Sequence, residues 1–444
     1  MTVTPWDGFG YGPWEGTTVV PQLPPDEETR AAGDLPRTLL PVAGDGVVQH
    51  PAFDPALKHY AKAMRLSEPR FADTAAGHAW TAARRRAMDH VLAAIAASPW
   101  AGHLVLRGSV LLAAWFGDAA REPGDLDFVV VPDTWDLRDD RTDALLDDIA
   151  RAAEDLSRQD GPVLIDAAGA ASDEIWTYER VPGRRLVLPW TVPGEDLPSG
   201  TVQLDFVFNE RLPQPGIPTA LPRPQGGEPL RLLAATPELS LAWKLLWLAS
   251  DTYPEGKDLY DAVLLAEHAD LPYDLLHQVF VAADEWYAGF DLPLGHILGE
   301  AAGADWPEFR KDHPHVPGTC MDWLLRLARA LAPVFAPDGN TTYERLATAY
   351  AYLTDQLREP YEQGGLAAVE EWLGQRTVIT LEALVSVREL LGRDTHDLDA
   401  TAALLAGFRR RPRWGQEEGE PVFQPWYGDP QAIATWLRAA DETG

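Results

Sequence analysis

Between Leu104 and Val131 the chain reads LVLRGSVLLAAWFGDAAREPGDLDFVVV, an order of signals that few folds accommodate. An apolar strand ends at Gly108-Ser109, a short apolar helix follows, and a second strand opens with Asp125-Leu126-Asp127 before continuing as Phe128-Val129-Val130-Val131. Side chains alternate across a strand, so Asp125 and Asp127 share one face at its mouth. Two carboxylates so placed repel each other unless a cation lies between them. Mg²⁺, which takes oxygen ligands and substrate phosphates, meets that need. Gly108 permits close approach of the backbone to a ligand, and a helix starting near Ser109 offers its N-terminal N–H groups to an anion. A metal-holding carboxylate pair beside a phosphate-cradling turn points to nucleotidyl transfer.

A third carboxylate extends the pattern. Thr201-Val-Gln-Leu-Asp-Phe-Val-Phe-Asn209 alternates at period two, with Asp205 among apolar residues as Asp127 is in its own strand. If the two strands pair, Asp205 completes a triad with Asp125 and Asp127. Two divalent ions about 3.5–4 Å apart, bridged by such carboxylates, would activate an attacking hydroxyl and stabilise departing pyrophosphate. Further on, Thr236-Pro-Glu-Leu-Ser-Leu-Ala-Trp-Lys244 opens a helix: Thr236 suits the cap, Pro237 the first turn and Glu238 the positive end. Leu241, Leu245 and Leu248 form its apolar face, with Lys244 beside them. A second helix opens at Lys257-Asp258-Leu-Tyr-Asp261, where Asp258 and Asp261 share a face.

Four blocks, in order, resemble the AbiEii/AbiGii nucleotidyltransferase toxins of the polymerase-β-like nucleotidyltransferase superfamily. They are Leu106-Arg107-Gly108-Ser109 with Leu111-Leu112; Arg121 through Asp125-Leu126-Asp127-Phe128; Glu238 through Lys244-Leu-Leu-Trp-Leu; and Lys257-Asp258-Leu-Tyr-Asp261. A weaker echo lies at Asp305-Trp306-Pro307-Glu308-Phe309, and the resemblance spans about residues 80–335. Ser109, Pro123 and Lys257 depart from the family's usual Gly, Ser and Arg. The resemblance implies an α+β fold, a mixed-sheet nucleotidyltransferase core followed by a mainly helical C-terminal region. It implies an NTP as co-substrate and Mg²⁺ as cofactor, as two ions held by Asp125, Asp127 and Asp205. Lys244 would be the cation for the triphosphate and Asp258 a general base or nucleotide-orienting group. Gly108, Ser109, Arg121 and Asp261 would contribute to nucleotide binding. The implied biology is the toxin half of a toxin–antitoxin or phage-defence pair, acting on RNA such as tRNA 3′ ends and opposed by a cognate antitoxin. Two alternatives stand beside it: a small-molecule (aminoglycoside-like) or protein hydroxyl as acceptor, and a degenerate nucleotidyltransferase serving as a non-enzymatic binding module.

Composition narrows the setting. A chain of 444 residues is long enough for two or three cored domains. The single cysteine, Cys320, excludes an internal disulfide framework and fits a reducing, cytoplasmic setting. The start, MTVTPWDGFGYGPW, lacks a basic region followed by an apolar run, and no stretch reaches the roughly 20 apolar residues of a membrane span. A net charge of −31 counts against RNA as the acceptor, because nucleic-acid binders draw most of their affinity from basic surfaces. The local exceptions are Arg84-Arg85-Arg86, the group Lys58, Lys62 and Arg65, and Arg409-Arg410-Arg411 with Arg413.

Residues 1–55 read as an irregular Pro/Gly-rich arm able to pack over the enzyme through Trp6, Tyr11 and Trp14. The catalytic domain is expected over 56–212, with helices at 78–98 and 137–158 and strands near 162–167, 173–180 and 185–191. A linker is expected over 213–231. A helical nucleotide-closing domain over 213–336 and a helical extension over 337–444 would follow, with helices at 272–287, 319–334, 342–357, 365–374, 380–391, 399–410 and 430–440. Trp115 or Trp243 would be available to stack on a base.

Overall fold

The computed structural model describes residues 5, 6, 9–177, 181–409, 420–424 and 427–442. The chain forms two compact units, Met1–Thr236 and Pro237–Gly444.

In the first unit an N-terminal layer precedes the main sheet. It holds the helix α1 (Glu27–Gly33) and four short strands: β1 (Val47–Val48), β2 (Pro51–Phe53), β3 (Met64–Leu66) and β4 (Arg70–Phe71). β1 pairs with β4 and β2 with β3, both antiparallel. Residues 1–55, expected as a mostly irregular arm, carry one short helix and two short strands, and Trp6, Val20, Leu35 and Leu39 form a small core with Met64, against which Phe9, Trp14 and Leu66 pack. Trp6 is buried within it and Tyr11 is exposed. Short two- and three-residue strands leave too little period-two signal to stand out among prolines and glycines.

The long helix α2 (Thr74–Ala97) begins where the Asp73 side chain accepts from Ala75 N at 2.8 Å. Then come β5 (Leu104–Arg107), α3 (Ser109–Phe116), β6 (Asp125–Val130), α4 (Asp140–Gln159), β7 (Leu164–Ile165), β8 (Ala171–Thr177), β9 (Val181–Thr191), β10 (Gly200–Val207), β11 (Ile217–Leu221) and β12 (Leu230–Ala234). Among the described residues these eight strands make one mixed sheet in the order β11-β12-β5-β6-β10-β9-β7, with β8 also on β9. β6 and β10 run parallel; β5 pairs antiparallel with β6, and β9 with β10. α2 packs against α4, β10 and β12, and α4 against β7. Even-numbered side chains of the central strands form the apolar face, where Phe128 and Phe206 stack with centroids 5.7 Å apart.

Two of these strands fall in the stretch expected as a linker. β11 and the first two residues of β12 lie within 213–231, where prolines and the Gly226-Gly227 pair mimic a connection. β11 sits at the sheet edge, and there Pro218 is tolerated because a missing ladder donor faces outward.

The second unit is helical: α5 (Pro237–Ser250), α6 (Gly256–Ala266), α7 (Tyr273–Ala283), α8 (Leu294–Ala301), α9 (Trp306–Asp312), α10 (Cys320–Phe335), α11 (Thr342–Ala349), α12 (Ala351–Gly374), α13 (Thr380–Leu391), α14 (Leu398–Gly407) and α15 (Pro430–Glu442). α10 starts with a reciprocal capping box between Thr319 and Asp322. The helix expected over 342–357 divides at Tyr350 into α11 and the start of α12, and α12 kinks where Gly364 and Gly365 leave helical geometry, at the break expected before 365. No helix among the described residues is long and apolar enough to cross a membrane.

Candidate active site

Strand pairing builds a charged row across one face of the sheet. The register opposes Arg107 of β5 to Asp127 of β6, Asp127 to Asp205 of β10, Asp205 to Arg185 of β9, and Arg185 to Asp173 of β8. Gln203 opposes Asp125 one step along the same face. The structure thus brings Asp125, Asp127 and Asp205 to neighbouring positions on two paired strands. Among the described residues, however, no set of three or more His, Cys, Asp or Glu side chains is arranged to hold a metal ion.

Asp205 shows why. Arg185 forks onto it, Nε donating to Oδ1 at 2.8 Å and Nη2 to Oδ2 at 2.8 Å, while the Gln203 amide donates to Oδ2 at 3.3 Å. The third arm of the guanidinium, Nη1, donates to Asp54 Oδ2 at 2.7 Å. All three ionic groups are buried, Asp205 being 9% exposed. Burial opposes the charge on Arg185, yet Asp205 and Asp54 hold its pKa well above the ordinary value. Burial pushes the Asp205 carboxyl up against the pull of Arg185, and Asp125 and Asp54 add repulsion. Burial also opposes the charge on Asp54, but Arg185 and Arg65 hold its carboxyl below the usual carboxylate range.

Asp54 belongs to the N-terminal layer, where it also caps the 3₁₀ turn Pro55–Leu57 by accepting from Ala56 N. The same layer grips the row a second time. Asp173 accepts from the backbone N–H groups of Arg37 and Thr38, at 3.1 and 2.8 Å, and from the Tyr60 hydroxyl at 2.9 Å. Arg185 and Asp54 were missing from the residues singled out in the sequence. A charge at an inward position of the apolar strand Arg185-Leu-Val-Leu-Pro-Trp190 was the available signal for the first. Asp54 had none, because only long-range folding brings it there.

At the other end of the carboxylate pair, Gly108 caps α3 with a φ of +83°, a backbone state that favours glycine. A Cβ there would stand 2.5 Å from Asp127 Oδ2, so the turn packs directly under that carboxylate. Ser109, at the first position of α3, is 1% exposed, and its hydroxyl has no hydrogen-bond partner among the described residues. A buried hydroxyl without a partner costs about 1–3 kcal/mol, which marks this turn as a place that gains from a ligand. Arg107 donates to Glu210 at 2.7 Å. Arg121 is half-buried in the segment before β6.

In the second unit, helices α5 and α6 assemble another ionic group. Lys244 Nζ lies 2.7 Å from Asp258 Oδ1 and 3.0 Å from Asp261 Oδ2, and 4.8 Å from the centre of the Trp247 ring. Lys244 is 4% exposed, Asp258 8% and Asp261 0%. The i, i+3 spacing on α6 turns both aspartates toward one lysine of α5. Trp243 is buried, whereas Trp115 is half-buried against Phe116.

The basic clusters are largely consumed internally. Arg84 pairs with Glu68 at 2.5 Å, Arg85 with Glu122, and Arg86 donates to the Asp160 carbonyl at 3.2 Å. Lys62 donates to the Phe9 carbonyl at 2.6 Å. Arg410, Arg411 and Arg413 lie outside the described residues.

A family model described as "Nucleotidyl transferase AbiEii toxin, Type IV TA system" matches residues 90–330, more than half of the chain. Among solved structures the chain is similar to MenT4, a nucleotidyltransferase toxin from Mycobacterium tuberculosis H37Rv. That likeness has 16% identity and a TM-score of 0.39 over 61% of this chain and 87% of that one. A search of curated proteins finds no match.

Proposed function

The chain belongs to the AbiEii family of nucleotidyltransferase toxins of type IV toxin–antitoxin systems, and on that premise we propose that it moves a nucleoside monophosphate from an NTP to an acceptor hydroxyl. The observation that carries this reading is the pairing of Asp127 with Asp205, two residues from Asp125, beside the Gly108 turn. Asp125 and Asp127 fit Mg²⁺, a cation bound through one or two carboxylates together with substrate phosphates. The partnerless Ser109 hydroxyl beside them suits a phosphate oxygen.

When bound, Mg²⁺ supplies Lewis-acid polarisation of the α-phosphate and charge neutralisation. The protein's own groups do the rest. The N–H groups of the first turn of α3 and the Ser109 hydroxyl donate to phosphate oxygens, and Arg121 adds positive charge. For Lys244 and Asp258 of the helical unit, the family resemblance implies triphosphate binding and nucleotide orientation or acceptance of the acceptor's proton. The acceptor oxygen bonds to the α-phosphorus as the bond to the β-phosphate oxygen breaks, and pyrophosphate leaves. Positioning and charge stabilisation supply most of the acceleration.

The acceptor in this reading is RNA, such as a tRNA 3′ end. The protein acts in the cytoplasm as a toxin, within toxin–antitoxin or phage-defence biology, and a cognate antitoxin opposes it. A second reading, a small cationic molecule or a protein hydroxyl as acceptor, draws on the net charge of −31 and on the internal pairing of Arg84, Arg85 and Arg86. Purified protein incubated with each α-³²P-NTP, Mg²⁺ and total bacterial RNA separates the two. Label on RNA of tRNA size, lost in Asp125→Ala/Asp127→Ala, supports the first. Label on a small molecule or on protein, with RNA untouched, supports the second. Nucleotide neither bound nor consumed by folded protein overturns both.

A further inference from the structure

The two-ion arrangement expected for a carboxylate triad requires Asp205 to offer a lone pair to a cation. Here both of its oxygens accept from one guanidinium at 2.8 Å each, and the same guanidinium reaches Asp54 at 2.7 Å. Arginine is not deprotonated in proteins, and its planar fork matches a carboxylate with two parallel bonds. The positive charge beside Asp205 is therefore permanent and held from two sides. Its surroundings are buried, so little water screens it. A dication on the same carboxylate would be pressed against that fixed charge.

Resting on the reading of the site as a nucleotidyltransferase centre, we propose that Arg185 stands where a second metal ion would. The centre then holds one divalent ion, at Asp125 and Asp127. Arg185 is a positioning residue: it neutralises Asp205 and fixes its rotamer, leaving Asp205 to shape the field at the centre without binding metal. The device depends on the N-terminal layer. Asp54 lies outside the 90–330 stretch that matches the family, so the residue locking the guanidinium belongs to a part of this chain the family model does not include. The grip of Asp173 on Arg37, Thr38 and Tyr60 anchors that layer to the same row of the sheet.

Electron paramagnetic resonance of full-length protein with Mn²⁺ and α,β-methylene-ATP counts the ions directly. The expected result is a single, uncoupled protein-bound Mn²⁺, lost in Asp127→Asn and retained in Asp205→Asn. An exchange-coupled Mn²⁺ pair in the wild type, or loss of the bound ion in Asp205→Asn, overturns the proposal while leaving nucleotidyl transfer standing. A wild-type spectrum indistinguishable from that of nucleotide and Mn²⁺ alone overturns the proposal and the nucleotidyltransferase reading together.

Discussion

At Gly108 the backbone turns through a φ of +83° directly beneath the Asp127 carboxylate. Replacement by alanine forces both a strained backbone state and a collision with the Asp127 carboxylate. Gly108→Ala should lose about 1–3 kcal/mol of stability, read as a fall in urea midpoint, and transfer activity should fall far more than that loss explains. Lys244 presents the opposite situation, one cation between two buried carboxylates. Lys244→Met should cost about 3–5 kcal/mol, because it removes the cation held between two buried carboxylates. Neutralising all three, with Asp258→Asn and Asp261→Asn added, should recover most of that stability but not activity. Recovery of activity would make the trio purely structural. The shared face of Asp125 and Asp127 was legible in the sequence, because period-two alternation decides it, while Asp205 joined them on the condition, met in the register, that its strand pairs with theirs. Arg185 and Asp54 were not, because their partners lie 20 and 131 residues away and only the strand register and the arm's folding bring them together.

Among the elements, most helices past residue 236 lie close to their expected bounds, because caps and apolar periodicity are local properties, although Pro333 and Pro360 lie inside α10 and α12. The strands were harder. β5, β6 and β10 announce themselves because each is apolar on one face and carries charge on the other, whereas β11 hides among prolines that an edge position tolerates. Within the helical unit, Glu382 of α13 accepts from the Tyr352 hydroxyl of α12, and Gly295 of α8 leaves the space for both. Burial raises the Glu382 pKa from 4.5 to about 7, against the opposing pull of the Tyr352 hydrogen bond. Its folded pKa lies above its unfolded one, so the native state binds the extra proton. The stability it contributes is full below about pH 4.5 and is lost as pH rises through 7, a change of about 3 kcal/mol. Glu382→Gln should therefore flatten this part of the pH dependence and stabilise the protein at pH 8. Parallel urea midpoints for wild type and variant from pH 5 to 8 would refute this assignment.

For the molecule as a whole, acidity and catalytic equipment pull in different directions. A net charge of −31 disfavours the broad phosphate contacts that carry most nucleic-acid affinity, so recognition of RNA would have to be local. A nucleotide held through Mg²⁺ and the α3 turn would have no such requirement. The N-terminal layer, beyond the family's matched stretch, contributes charge to the central row of the sheet and so belongs physically to the unit that carries Asp205. The claim on which everything else rests is that this row performs nucleotidyl transfer. The most direct measurement is the rate of pyrophosphate release from NTP, Mg²⁺ and total bacterial RNA, with nucleotide incorporation counted in the same tubes. The account predicts pyrophosphate in equal amount to incorporated nucleotide and a fall on the order of a thousandfold in Asp127→Asn. Pyrophosphate release that is absent from the folded wild type, or unchanged in Asp127→Asn, would contradict it.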